Sequence, residues 1–110
     1  MKKILVVDDD PLIRMLLTEY LTHYGFSVEC QENGKGCLER LKEDLPDVVL
    51  LDLTMPDMTG IEVLRAIRSE GRTQAIAVFM LSANENTESL TASEDLQATG
   101  FLRKPFNIKD

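Results

Sequence analysis

The chain has 110 residues, of which 44% are hydrophobic, and its 12 basic and 19 acidic side chains give a formal net charge of −7. This length and apolar content predict one folded domain over residues 1–110 and exclude a disordered chain. The negative charge argues against direct nucleic acid binding, which needs a basic patch, and favours cations or basic partner surfaces.

The chain opens with a predicted strand and helix. Residues 3–8 form a short, β-branched apolar run, which is typical of a buried strand. Asp10 can cap the helix that follows, Pro11 suits its first position, and Gly25 ends it. Apolar side chains recur at helical spacing between these limits and predict the inner face: Leu12, Ile13, Leu16, Leu17, Tyr20, Leu21 and Tyr24.

The next segments repeat the same alternation. Residues 27–31 predict a second strand, and Asn33 precedes a weaker helix over residues 34–44. Pro46 breaks the chain, and residues 47–52 are again apolar on both faces, as in a buried strand. The predicted inner face of the second helix consists of Cys37, Leu38 and Leu41.

The second half continues with a loop over residues 55–58 and a helix over residues 60–70. Thr59 and Glu62 have the spacing of a capping box at the start of this helix, and Gly71 ends it. Its predicted inner face consists of Ile61, Leu64 and Ile67.

Three further elements are predicted near the C-terminus. Residues 75–81 form a fourth apolar strand, the polar residues 85–99 a weakly periodic helix, and residues 100–103 a short fifth strand. Strands with continuous apolar runs that alternate with helices predict an α/β fold, with a parallel sheet covered on both faces.

No targeting segment is predicted. Behind Met1-Lys2-Lys3 the apolar run covers only residues 4–7, whereas a secretion signal needs roughly 7–15 apolar residues and a membrane span about 20. Cys30 and Cys37 match neither a redox nor a zinc spacing, which favours reduced thiols. We therefore expect a cytoplasmic protein without membrane association.

Polar side chains follow four of the predicted strands: Asp8 and Asp9, Asp52, Ser82, and Lys104. Ligands of open α/β sheets bind beyond the carboxyl ends of the strands, so we expect these groups to share one crevice. Carboxylates placed together repel one another and lose hydration, which raises their pKa values unless a cation is present. A hard divalent cation and a lysine would offset this, and such a pocket accepts a phosphoryl group.

Four motifs resemble a known family: VVDDD at residues 6–10, LDLTMPDMTG at 51–60, MLSA at 80–83 and FLRKPF at 101–106. In this order and spacing, over the whole chain, they resemble the receiver domain of two-component response regulators, within the CheY-like superfamily. The resemblance implies a flavodoxin-like, doubly wound α/β fold with a five-stranded parallel sheet in the order 2-1-3-4-5.

The resemblance also implies the roles of the site residues. Asp52 would be the phosphoacceptor, phosphorylated by a sensor histidine kinase or a phosphotransfer protein. The implied cofactor is Mg²⁺, held by the carboxylates of Asp8, Asp9 and Asp52 and by the backbone carbonyl of Thr54. Lys104 would pair with the phosphoryl oxygens.

A switch is implied beside this site. Ser82 would contact the phosphoryl oxygens as a second catalytic group, and Phe101 would fill the space that Ser82 vacates, besides packing in the core. The new conformation would control an output domain or partner protein. The chain would thus be a signalling switch rather than an enzyme, with at most intrinsic autophosphorylation and autodephosphorylation.

The C-terminal part departs from the family pattern. Gln97 stands where the family often has glycine after its fourth helix, which predicts a differently ended helix. The fifth helix should begin near Asn107, yet the sequence stops at Asp110, so we expect this helix to be truncated or missing. Either the chain is a fragment of a longer regulator, or a homodimer covers the exposed sheet face.

Two other functions use the same residues. A pseudo-receiver would serve only for docking, and the intact acceptor set weighs against it. A Mg²⁺-dependent aspartyl-phosphate phosphatase has its nucleophile in a DxD motif after the first strand, whereas Asp8, Asp9 and Asp10 are contiguous here. Taken singly, Asp10 is best explained as a helix cap and Ser82 as a strand-end hydroxyl.

Overall fold

The computed structural model describes residues 2–82 and 97–103, with only the backbone described for Ser82, Leu102 and Arg103. Within these residues five strands alternate with three helices in the predicted order. The elements are β1 (Lys3–Val7), α1 (Pro11–His23), β2 (Ser27–Gln31), α2 (Gly34–Glu43), β3 (Val48–Asp52), α3 (Gly60–Ser69), β4 (Ala77–Ser82) and β5 (Gly100–Arg103).

The five strands form one parallel sheet in the order β2-β1-β3-β4-β5, which confirms the predicted fold. In its register Val7 lies opposite Gln31 on one side and Leu51 on the other. Asp52 lies opposite Leu81. The carboxyl ends of β1, β3 and β4 therefore meet at one edge of the sheet.

Each face of the sheet has its own apolar cluster, because successive side chains of a strand point to opposite faces. One face packs against α2 and α3, whose buried residues include Cys37, Leu41 and Leu64. The other face packs against α1 through Leu17. Burial on both faces explains why the central strands are continuously apolar.

Local caps fix the helix starts as the sequence predicted. The Asp10 side chain accepts a hydrogen bond from the backbone N–H of Leu12 at 2.9 Å, and Pro11 occupies the first turn of α1. Thr59 and Glu62 form the reciprocal capping box of α3. Each such cap stabilises a helix by about 1 kcal/mol.

The structure corrects several details. Leu12 in α1 and Tyr24 directly after it are 54% and 64% exposed rather than packed inward. The fourth strand begins at Ala77, two residues later than predicted, because a turn precedes it in which the Ile76 N–H donates to the Thr73 carbonyl. Residues 97–99 are not helical. The rest of the predicted fourth helix, and the fifth, lie outside the described residues.

Searched over its described residues, the structure holds no helix with the length and apolarity needed to cross a bilayer.

Candidate functional site

Three carboxylates converge at the edge of the sheet where β1 and β3 end. Asp8, Asp9 and Asp52 each offer one oxygen, and these atoms lie within 4.8 Å of one another. Asp8 is fully buried, Asp52 is 5% exposed, and Asp9 is exposed. The pairing of Val7 with Leu51 brings the following residues, Asp8 and Asp52, next to each other. The sheet register thus joins acids that are 44 positions apart in sequence.

Backbone groups orient the two buried carboxylates. The Asp8 side chain accepts from the Asp10 N–H at 2.9 Å, and Arg14 donates to the Asp8 carbonyl at 2.6 Å. The Asp52 side chain accepts from the Thr54 N–H at 3.3 Å. The N-cap residue of α1 therefore supports one carboxylate, and the loop after β3 supports the other.

This donor set fits a hard divalent cation. Magnesium prefers oxygen ligands and is usually held by a few carboxylates together with water. Three adjacent carboxylates repel one another when ionised, and a divalent cation among them would offset that repulsion. The exposed position of Asp9 leaves the site open to solvent on one side.

Gly60 lets the loop after β3 close tightly beside Asp52. Its N–H donates to the Leu53 carbonyl at 2.8 Å. A Cβ atom at Gly60 would overlap the Asp52 carbonyl oxygen and lie 2.8 Å from the Leu53 Cα. Both neighbours are backbone atoms that cannot rotate away, so only glycine fits here without moving the end of β3.

Asp57, in the same loop, was predicted only as a loop residue. Its two carboxylate oxygens accept from the backbone N–H groups of Gly34 at 3.0 Å and Lys35 at 2.9 Å. These hydrogen bonds from Lys35 and Gly34 lower the pKa of Asp57 below its ordinary value. No local sequence signal pairs a loop aspartate with a helix 22 positions earlier, and only the packed fold reveals this contact.

The other predicted site residues lie near the same edge or outside the described part. Ser82 ends β4, where it pairs through its backbone with Arg103. Phe101 pairs with Met80 and is 36% exposed, outside both apolar clusters, so the expectation that it packs in the core is wrong. Lys104 lies outside the described residues.

Comparisons with known sequences give one consistent result. A family model of the response regulator receiver domain matches residues 4–110. The chain is 37% identical over 108 residues to the response regulator MprA of Mycolicibacterium vanbaalenii and 36% identical to that of Mycobacterium avium. In both cases the match covers 98% of this chain and 46% of the relative. The chain thus spans about half the length of the curated relatives it matches.

Solved structures agree with the sequence comparisons. The chemotaxis protein CheY4 of Vibrio cholerae superposes with a TM-score of 0.93 and 33% identity, covering 99% of this chain and 91% of that one. The Mn²⁺-bound form of the response regulator Rcp1 superposes with a TM-score of 0.91 and 28% identity, covering 100% and 86% of the two chains.

Proposed function

This chain belongs to the family of response regulator receiver domains, and we propose that Asp52 is the residue on which it accepts a phosphoryl group. The observation that supports this assignment is the convergence of Asp8, Asp9 and Asp52 within 4.8 Å. Of the three, Asp52 lies at the end of the central strand β3, beside the loop closed by Gly60.

The proposed reaction needs little covalent chemistry from the protein. An Asp52 carboxylate oxygen attacks the phosphorus of a partner's phosphohistidine, so that a P–O bond forms while the P–N bond breaks. The imidazole leaves with the electron pair of that bond and takes up a proton. Such transfers depend mainly on in-line positioning and neutralisation of charge. The burial of Asp52 and the hydrogen bond from the Thr54 N–H support the first requirement, because they restrict where its carboxylate can point.

Mg²⁺ is the proposed cofactor, held by the carboxylates of Asp8, Asp9 and Asp52 and by the backbone carbonyl of Thr54. When bound, it would neutralise charge on the acceptor and on the phosphoryl oxygens. The Mn²⁺-bound form of Rcp1 supports a divalent cation in this fold. Lys104 is proposed to supply a further positive charge to the phosphoryl group.

The proposed switch couples Ser82 and Phe101 to the phosphoryl group. The phosphoryl group carries roughly −1.5 to −2 charges in place of the single charge of the Asp52 carboxylate, and it brings three strong acceptor oxygens, to which the Ser82 hydroxyl would donate. Phe101 is 36% exposed, so an inward rotation has apolar surface left to bury. Moving such an equilibrium from mostly off to mostly on requires about 5.5 kcal/mol of differential interaction.

The partners and location are proposals of the same kind. We expect a sensor histidine kinase or phosphotransfer protein as the phosphodonor, and an output domain or partner protein as the recipient of the signal. The curated relatives are about twice as long as the matched region, which supports an appended output domain. A cytoplasmic location agrees with two free cysteines, Cys30 and Cys37. Burial raises the pKa of the Cys37 thiol to about 12.

Mass spectrometry after treatment with acetyl phosphate and MgCl₂ tests the acceptor assignment. We expect one labile phosphoryl adduct on the wild type and none on Asp52→Asn. Asp10→Asn is the matched control, because asparagine also caps helices well, and it should keep the adduct.

An adduct that persists on Asp52→Asn would place the acceptor elsewhere. An inert wild type would favour a docking module without phosphoryl chemistry. Steady turnover of phosphomonoesters would favour the phosphatase instead.

A further inference from the structure

We propose that Asp57 is a positioning residue of the magnesium site, because it fastens the loop after Asp52 to the N-terminus of α2. The inference rests on the proposed function, since this loop includes Thr54, whose carbonyl is a proposed metal ligand. Asp57 itself would touch neither the cation nor the phosphoryl group.

The contact joins two elements that are distant in sequence. The Asp57 carboxylate accepts two hydrogen bonds, one from the Gly34 N–H at 3.0 Å and one, on its other oxygen, from the Lys35 N–H at 2.9 Å. These are the first two residues of α2, where the helix dipole favours a negative charge. Hydrogen bonds to a charged acceptor are stronger than neutral ones, and two of them also fix a direction.

Packing reinforces the same contact. Gly34 has no side chain, and a Cβ atom there would lie 2.9 Å from the Cβ of Met58 and 2.8 Å from a methyl group of Val63. Met58 follows Asp57 directly in the loop. The loop therefore lies against the start of α2 through a pair of charge-assisted hydrogen bonds and an adjoining apolar contact.

The remainder of the loop is held by different means. Its ends are joined by the hydrogen bond from the Gly60 N–H to the Leu53 carbonyl. Leu53 and Met55 are 9% and 8% exposed and belong to the core cluster. Thr54 lies exposed between these two anchors. Among the described contacts, Asp57 adds the polar connection that ties the outer part of the loop to a helix.

Asn33 already caps α2, so it offers a comparison for the two roles that Asp57 could have, capping the helix and positioning the loop. The Asn33 side chain accepts from the Gly36 N–H at 2.7 Å and belongs to the residue just before the helix. Among the described hydrogen bonds, its side chain serves the helix start and not the loop. A residue that only caps should act as Asn33 does, whereas a positioning residue should also affect the metal.

Magnesium makes this difference measurable. The ion demands a nearly ideal octahedral arrangement of ligands, so its affinity falls when one ligand drifts. Residues that orient metal ligands without touching the metal typically change affinity about 10- to 100-fold when they are removed. Since Asp57 holds the loop rather than Thr54 directly, we expect an effect near the lower end of that range.

Thermal unfolding followed by circular dichroism over a series of MgCl₂ concentrations, at constant ionic strength, tests the proposal. Asp57→Ala should need about tenfold more Mg²⁺ than the wild type for the same rise in Tm above its own metal-free value. Asn33→Ala should lower Tm without Mg²⁺ but show the same rise as the wild type at each Mg²⁺ concentration. Asp57→Asn should fall between the two, because its amide oxygen can replace only one of the two acceptors.

The possible failures are distinguishable. If the wild type responds to Mg²⁺ and both alanine variants show the same rise in Tm at each Mg²⁺ concentration, Asp57 is only a cap, and the proposed function stands. If the wild type responds to MgCl₂ no more than to NaCl at equal ionic strength, the magnesium site itself is wrong, and this inference falls with it. Should Asp57→Ala not fold, an unchanged Mg²⁺ dependence of Tm in Asp57→Asn would overturn the inference alone.

Discussion

Two residues in the described part of the chain adopt a left-handed backbone conformation, which costs most side chains energy. Gly25 has φ +91° just after α1, and Gln97 has φ +62° shortly before β5. At Gly25 the conformation lets the Phe26 N–H donate to the Leu21 carbonyl, which closes the helix. At Gln97 the same conformation is taken by a residue with a Cβ atom, at a cost of roughly 1–2 kcal/mol.

Gly25→Ala should lower the free energy of unfolding by about 1 kcal/mol, because alanine resists a positive φ. A Cβ atom at Gly25 would meet nothing within 4 Å, so the effect comes from the backbone alone. Gly71→Ala is the matched control, since its Cβ site is equally open and its φ lies outside the left-handed range. Urea denaturation should show no loss for Gly71→Ala, and equal losses in both variants would contradict this explanation.

Gln97→Gly should raise the free energy of unfolding by about 0.5–1 kcal/mol. Glycine removes the strain at φ +62°, although its greater conformational freedom in the unfolded chain reduces the gain in stability. The Gln97 carbonyl, which accepts from Arg68, is kept. Gln97→Ala keeps the strained conformation and should bring no gain. A stabilising alanine and a neutral glycine would show that the backbone is not strained there.

At the residue scale, the sequence predicted the groups that follow strand ends and missed those set by packing. Asp8, Asp9 and Asp52 could be named because parallel strands place their carboxyl ends at one edge. Asp57 could not be named, since its partners are backbone N–H groups of another element. Phe101 was expected to be packed, because an aromatic residue in a strand usually is, yet it is 36% exposed.

At the scale of elements, an ion pair joins α2 to β2. Arg40 makes two contacts to Glu29, from Nε at 2.5 Å and from Nη2 at 2.8 Å. The hydrogen bond from Arg40 is the main reason why the pKa of Glu29 lies below its ordinary value of 4.5. A carboxylate with a depressed pKa stabilises the fold above its unfolded-state pKa, and this contribution is lost as the pH falls through its folded-state pKa.

Glu29→Gln should therefore be less stable than the wild type at neutral pH, and the difference should shrink as the pH falls from about 5 to about 3. Urea denaturation over this pH range measures the difference. Glu32→Gln, at an exposed glutamate just beyond β2, is the control. Its free energy of unfolding should change with pH as that of the wild type does. A difference for Glu29→Gln that stays constant with pH would exclude the ionised pair as its cause.

Element starts were predictable where a side chain caps a helix, and less so where packing decides. Asp10 and Thr59 have local signatures, so the starts of α1 and α3 were correct. Too many residues of α1 were predicted to face inward, because the exposed Leu12 fits the helical spacing as well as the buried Leu17 does. The start of β4 was placed too early, since apolar residues before it belong to a turn closed by the Thr73 carbonyl.

At the scale of the whole molecule, alternating elements predicted a parallel sheet but not its strand order. Many orders are compatible with five alternating strands, and the order 2-1-3-4-5 came from the family resemblance. This order decides the site, because it makes β1 and β3 neighbours and so brings Asp8 beside Asp52. The charge of −7 adds a global repulsion to the local one among the three acids.

Salt and magnesium should therefore stabilise the molecule in two separable ways. NaCl should raise Tm gradually by screening the net charge. MgCl₂ at equal ionic strength should add a further increase that grows with the logarithm of the ion concentration above Kd, worth about 2.7 kcal/mol at a hundredfold excess, because the ion binds the folded state. In Asp52→Asn the NaCl response should remain and the Mg²⁺-specific part should largely vanish, while the metal-free variant should be more stable because one repelling charge is gone. Calorimetric scans of both proteins in both salts measure these quantities. A Mg²⁺-specific response that survives in Asp52→Asn would mean that the cation binds elsewhere on this acidic surface, and that the meeting of β1 and β3 does not create its site.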